Sequence, residues 1–198
     1  MRLLLASASP RRADLLRAAG FDFDTLAVDI DERVRDGETP GDYVRRLASE
    51  KSAAGLAARR DLVVLGADTV VTVDGVILGK PQDDGDAQRM IRRLQGRRHE
   101  VLTGVSLRRG DREGARVATT AVFFVRMSTA DIAWYVQSGE GRDKAGAYAI
   151  QGLAARFIER IEGSYSNVVG LPVAVVHALL EDLDKGRAKA AAVLASGG

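Results

Sequence analysis

Short β-branched runs alternate with helix-like segments in the first half of the chain, but in the middle they follow one another through tight turns. Strand–helix alternation builds parallel strand pairs, and a hairpin builds an antiparallel pair. The two together require an α/β fold with a mixed sheet. Arg2 to Ala6 reads as a buried strand. Ser9-Pro10 reads as the cap and first residue of a helix to about Ala19, stopped by Gly20. Phe21 to Val28 alternates like a strand, and Pro40 to about Arg59 is a long helix with Tyr43, Leu47, Ala54 and Ala58 on one stripe. Asp61 to Val73 holds two β-branched runs around Gly66-Ala-Asp-Thr69, and Asp74-Gly75 turns into a return strand, Val76 to Leu78. Asp83 to Gln95 is helical. His99 to Arg108 and Ala115 to Met127 form a strand pair joined by a Gly110–Gly114 loop. Ser128-Thr-Ala-Asp131 opens a helix to about Gln137, residues 139–146 form a polar loop, and 147–161 fits neither period. Leu171 to about Leu183 is a last helix. The expected organisation is one domain over residues 1–186 and an Ala-rich tail, 187–198, that frays.

Several classes of function are excluded. With no cysteine there is neither thiol catalysis nor Cys-ligated zinc, and two histidines without an H-E-x-x-H leave no His-rich zinc site. The chain lacks the phosphate loop G-x-x-x-x-G-K-[ST], a G-x-G-x-x-G fingerprint and a G-x-S-x-G elbow. No apolar run approaches the roughly 18 residues of a membrane span. A net charge of +2 with 5% aromatic residues does not suit nucleic-acid binding, so neither a membrane nor a nucleic acid is an expected partner. A cytoplasmic location fits, and the sequence admits a homodimer without selecting it.

Five places carry chemistry. At Ser7-Ala-Ser-Pro-Arg-Arg12 a strand feeds a helix start, where free N–H groups, two hydroxyls and two guanidiniums would attract phosphate; the plain alternative is an ordinary cap with two solvated arginines. Lys51 lies on the apolar stripe of the long helix, four residues after Leu47, and either snorkels to solvent or points into a cleft. Asp68 lies between two apolar runs, where a strand ends or bends, as a turn residue or as a metal ligand or general base. Lys80, before Pro81, is an exposed loop lysine or a positioned cation. Asp29-Ile-Asp-Glu32 places three carboxylates in four residues, relieved by solvent or by a divalent cation such as Mg²⁺ or Mn²⁺. Together they are the parts of phosphoryl chemistry: cations for phosphate oxygens, a metal to bridge them, and a carboxylate to take a proton from water. Residue spacing alone supports an anion-binding α/β protein, with metal dependence left open.

Eight stretches, in order and covering nearly the whole chain short of the tail, resemble the Maf nucleoside triphosphate pyrophosphatases. They are Leu4-Leu-Ala-Ser-Ala-Ser-Pro-Arg-Arg12, Asp29-Ile-Asp-Glu32, Leu47-Ala-Ser-Glu-Lys51, Gly66-Ala-Asp-Thr-Val-Val71, Leu78-Gly-Lys-Pro81, His99-Glu-Val-Leu-Thr-Gly104, Asp143-Lys-Ala-Gly-Ala-Tyr-Ala-Ile-Gln-Gly152 and Gly163-Ser-Tyr-Ser-Asn-Val-Val-Gly-Leu-Pro172. The resemblance implies a mixed, twisted sheet flanked by helices, with two lobes around a deep cleft, related to the ITPase-like pyrophosphatases. It implies hydrolysis of a nucleoside triphosphate at the α–β bond, with a divalent metal cation, Mg or Mn, as cofactor. Carried over, Asp68 is the general base and a metal ligand, and Glu32 supports metal or water. Arg12, Lys51 and Lys80 hold the triphosphate, with Ser7 and Ser9 in the binding loop. Residues matching Arg11, Thr69 and Gln151 mark the family's dTTP/UTP branch rather than its 7-methyl-GTP branch. The Gln151 amide suits a pyrimidine edge because it donates and accepts side by side. The competing readings are a nucleotide- or nucleic-acid-binding regulator without turnover that uses the same basic cleft, a pyrophosphatase of the 7-methyl-GTP branch, and a phosphatase that releases orthophosphate.

Overall fold

The computed structural model describes residues 2–195. In chain order the elements are β1 (Leu3–Ala6), α1 (Pro10–Ala18), β2 (Phe23–Thr25), α2 (Pro40–Ala58), β3 (Val63–Val73), β4 (Val76–Leu78) and α3 (Asp84–Leu94). They continue with β5 (Arg98–Arg109), β6 (Arg112–Phe124), α4 (Thr129–Gln137), 3-10 turns at Ala145–Ala147 and Leu153–Phe157, β7 (Ile158–Glu162), α5 (Tyr165–Val169) and α6 (Val173–Ala195). One seven-stranded sheet runs β2-β1-β3-β5-β6-β7, with β4 on the free edge of β3. The joints made by β1 are parallel and the others antiparallel, so the expected mixed sheet is present.

β3 is the element that positions everything else. Its start, Val63 to Gly66, pairs with β1, and its end, Val71 to Val73, pairs on the same edge with β4. Residues 67–70 therefore have no strand partner on that edge, while β5 pairs with Val64 to Thr72 on the other. The gap between the end of β1 and the end of β4 is the cleft. Each side of the gap has its own apolar cluster. Leu3, Leu5, Leu16, Leu65, Leu107 and Leu180 pack on one side. Val71, Ile91, Leu94, Phe124, Tyr135 and Phe157 pack on the other. Burying each of these large side chains contributes about 1.5–3 kcal/mol, enough for the two lobes to hold separate cores.

Several sequence expectations shift. The two β-branched runs around Asp68 are one continuous strand, so Asp68 is a mid-strand residue rather than a turn. β5 supplies hydrogen bonds across the gap, so the strand has no reason to stop there. The stripe of α2 runs through Tyr43, Leu47, Lys51 and Gly55 rather than Ala54 and Ala58, because Gly55 faces Val64 and Ala6 with no room for a larger residue. β2 shrinks to three residues because β1 offers only Leu3 to Leu5 to pair with. The Gly110–Gly114 loop is a two-residue turn, with Gly110 at φ +56°. Arg108 and Glu113 face each other across that hairpin and pair at 2.7 Å, a charged cross-strand pair that reads as loop in the sequence. The ambiguous 147–161 stretch becomes a 3-10 turn and the edge strand β7. The helix α4 starts with the expected reciprocal cap between Ser128 and Asp131. α6 continues to Ala195, and the end of the expected fraying tail, 196–198, lies outside the described residues. Among the described residues no helix is long and apolar enough to cross a membrane.

Candidate active site

The ten residues to which the resemblance gives a role line one cavity of about 500 Å³ at the gap in the sheet, while Asp29 and Asp31 of the carboxylate cluster do not reach it. The junction from β1 to α1 forms its floor. Ser9 stands at the cap position of α1, but its side chain makes no cap hydrogen bond; its own N–H donates to Ser7 Oγ at 3.2 Å. Pro10 has no N–H to satisfy, and the open first turn faces the cavity. Arg12 points inward and is buried. Its Nε donates to the Gly170 carbonyl (2.8 Å), Nη1 to Ser7 Oγ (3.0 Å) and Nη2 to Thr69 Oγ1 (3.1 Å). Burial lowers the pKa of this guanidinium, Asp68 opposes that, and an arginine still keeps its proton. Arg11 is held differently, pairing with Asp143 across the mouth of the cavity at 3.1 Å.

Alternation along β3 then splits the site between two faces. Thr69 turns toward Arg12 and donates to the Gly170 carbonyl (3.2 Å). Asp68 turns toward α2, where Lys51 Nζ lies 2.7 Å from Asp68 Oδ1 and 2.7 Å from Glu32 Oε1. The lysine is buried rather than snorkelling to the surface, and its ammonium is a bridge between two carboxylates. Two glycines allow this. A Cβ on Gly66 would lie 2.1 Å from the Ala48 carbonyl oxygen and one on Gly104 2.1 Å from that of Val44, so α2 rests directly on the backbone of β3 and β5. Of the three clustered carboxylates only Glu32 enters the site, while Asp31 pairs outward with Arg33 at 2.7 Å. Arg46 holds this loop against α2 by donating to Glu38 and to the Arg33 carbonyl. Tyr43 donates to the Glu32 carbonyl at 2.8 Å. Burial raises the Glu32 carboxyl, but the hydrogen bond and charge of Lys51, with Lys80 and Arg12 behind it, outweigh this and leave it below its ordinary range. Burial, reinforced by the charges of Asp68 and Glu32, pushes the Tyr43 phenol up to about 12.

The opposite wall comes from the end of β4 and residues 139–152. Lys80 is exposed and has no hydrogen-bond or ion-pair partner among the described residues, so it is a cation available to a ligand. Gly146, at φ +70°, packs where a Cβ would lie 2.9 Å from Val71 and donates its N–H to Gly79, tying the loop to β4. Tyr148 lines the cavity, with its hydroxyl 2.8 Å from His99 Nε2. Gln151 is exposed at the cavity rim, and its amide has no protein partner among the described residues. Tyr43, Asp143, Lys144 and Tyr148 also line the site, and sequence reasoning assigned them no role. The usable signal for Tyr43 was its place on the same helical stripe as Lys51.

As a metal site, the donor set is Glu32 and Asp68; among the described residues no three His, Cys, Asp or Glu side chains cluster as ligands. Both carboxylates already converge on one cation, and Glu32 Oε2 and Asp68 Oδ2 carry no hydrogen bond among the described residues. Two carboxylates completed by phosphate oxygens and water suit Mg²⁺, which rarely takes an all-protein shell.

Three comparisons bear on this arrangement. The family model described as Maf-like protein matches residues 2–183. A protein of Shewanella oneidensis named dTTP/UTP pyrophosphatase is 50% identical over 190 residues, covering 92% of this chain and 98% of its own. One of the same name from Hahella chejuensis is 52% identical over 186 residues, covering 91% and 92%. The solved structure of the Staphylococcus aureus Ham1 protein superposes with a TM-score of 0.55 at 16% identity, covering 92% of this chain and 99% of that one, a likeness of fold.

Proposed function

The chain belongs to the Maf family, and on that footing we propose that it hydrolyses nucleoside triphosphates at the α–β phosphoanhydride bond, with dTTP and UTP as preferred substrates. The observation that carries the reading is the Lys51 bridge. It holds the Asp68 carboxylate mid-strand in an open sheet edge, with Oδ2 free, beside a phosphate-binding junction. A water hydrogen-bonded to Oδ2 loses its proton to Asp68 as its oxygen bonds to phosphorus. One P–O bond of the α–β bridge breaks, leaving the nucleoside monophosphate and pyrophosphate. Arg12, the first turn of α1 and Lys80 take the negative charge of the phosphate oxygens. Lys51 holds Asp68 in place through its 2.7 Å contact with Oδ1. Glu32 and Asp68 are the residues that would hold Mg²⁺ or Mn²⁺, which when bound supplies charge neutralisation at the phosphates. Gln151, with Arg11 and Thr69 nearer the junction, meets the base, its amide matching the adjacent carbonyl and N–H of uracil or thymine. Such substrates are nucleotides of the cytoplasm, which is then its working compartment.

The test is a panel of nucleoside triphosphates with Mg²⁺ or Mn²⁺, assayed separately for pyrophosphate and orthophosphate. Pyrophosphate from dTTP and UTP, abolished by chelation, is the expected result. Asp68→Asn should lower kcat by about 10²–10⁴-fold while nucleotide still binds. Orthophosphate as the first product would make the protein a phosphatase. Binding without any product would make it a regulator.

A further inference from the structure

The wall that carries Gln151 has little regular structure of its own, and one residue outside it holds both ends. Residues 141–152 present Asp143, Lys144, Tyr148 and Gln151 to the cavity. At the first end the main-chain carbonyl of Glu140 accepts from Lys144 Nζ at 2.6 Å. At the far end its carboxylate accepts from the N–H of Leu153 (Oε2, 2.7 Å) and of Ala154 (Oε1, 3.3 Å), and from the Tyr135 hydroxyl (Oε1, 3.0 Å). Leu153 opens the 3-10 turn Leu153–Phe157, whose cap residue, Gly152, has no side chain with which to satisfy those amides. The carboxylate of Glu140 does so from outside the loop. Gly152 is also the residue that admits it, since a Cβ there would lie 2.0 Å from Glu140 Oε2. The Gly152 N–H closes a turn onto the Ala149 carbonyl at 3.2 Å, and Gln151 projects from that turn.

We infer that Glu140 is the positioning residue for base discrimination: by capping Leu153 and Ala154 it fixes the Ala149–Gly152 turn, and through it the direction in which the Gln151 amide meets the base. The inference rests on the proposed role of Gln151. A flexible amide without a protein partner selects one base edge only if the main chain beneath it is held, because otherwise binding must also order the turn. The hydrogen bonds doing the holding are made by a carboxylate and are stronger than those between neutral groups, so their loss leaves the turn with only its own Gly152–Ala149 bond.

The experiment measures kcat and KM for UTP, dTTP, CTP and GTP in the wild type, Glu140→Ala, Glu140→Gln, Gln151→Ala and the Glu140→Ala/Gln151→Ala double variant, with thermal melting of each. Glu140→Ala should lower the UTP-over-GTP preference on the order of tenfold, mainly through KM for UTP. Glu140→Gln, which keeps a carbonyl acceptor for Leu153, should recover most of it. The double variant should be no less selective than Gln151→Ala alone. A melted Glu140→Ala protein moves the test to Glu140→Gln and to Gly152→Ala, which drives a methyl group into the carboxylate. The inference is overturned if Glu140 variants fold and keep the wild-type preference while Gln151→Ala loses it, if the two single effects multiply in the double variant, or if kcat falls with preference intact. Failure of the underlying function appears elsewhere, as absence of turnover or of any base preference in the wild type.

Discussion

His99 is 1% exposed in β5, edge-on to the rings of Phe124 and Tyr148, with Nε2 on the Tyr148 hydroxyl. Burial, assisted by the neighbouring charge of Arg98, lowers its pKa to about 4, and the facing phenol of Tyr148 stays neutral because burial raises its own. The unfolded chain binds that proton near pH 6.5 and the folded one only near 4, so stability falls as pH drops through this window, by about 3 kcal/mol at pH 4. Well above pH 6.5 His99 is neutral in both states and has no effect. His99→Gln should therefore flatten urea-unfolding stability between pH 6.5 and 4; an unchanged slope would show that His99 is not the buried neutral group. His99 stood inside a motif of the resemblance without a role, and its function as the pin under Tyr148 depends on a partner 49 residues away. Lys51 was more legible, because a lysine in phase with Tyr43 and Leu47 must either escape the core or serve a charged partner. Its two partners come from other elements and lay beyond any local pattern.

At the scale of elements, the depth of α2 determines whether Lys51 reaches Asp68. Gly104 faces the main chain of Val44 and Gly66 that of Ala48, so a methyl group at either meets backbone that cannot rotate away. Gly104→Ala should cost about 3 kcal/mol of stability and lower kcat as the helix shifts, read by urea denaturation beside steady-state kinetics. Wild-type stability in that variant would mean that α2 has slack. Both glycines lie within β-branched strands, a placement that signals close backbone approach. Element types were legible nearly throughout, since apolar period, caps and turn residues are local signals. Ends were less so. β2 stops where β1 stops offering partners, the Arg108–Glu113 pair lengthens a hairpin without an apolar residue, and β3 continues past Asp68 only because β5 lies alongside.

The cleft belongs to the whole molecule, because it is bounded by two strands that meet the same edge of β3 from opposite ends. A ligand in the gap touches both lobes and should stabilise them together. A triphosphate at a hundredfold its dissociation constant, added with Mg²⁺ to Asp68→Asn protein, should raise unfolding stability by about 2.7 kcal/mol in a single transition. Stabilisation of only part of the molecule, seen as a split transition, would place the binding site within one lobe. The local chemistry was written in the chain: a strand–helix junction rich in hydroxyls and guanidiniums, a lysine in an apolar stripe, a carboxylate among β-branched residues and a mixed sheet to carry them. Those features depend on neighbours in sequence, whose spacing the helix and strand periods set directly. Their convergence was not written there. Which carboxylate of Asp29-Ile-Asp-Glu32 turns inward, that Lys51 bridges Glu32 and Asp68, and that Glu140 caps the turn below Gln151 all depend on contacts between residues distant along the chain. Such contacts arise only when packing sets the distance between elements, here through glycines that let backbones touch.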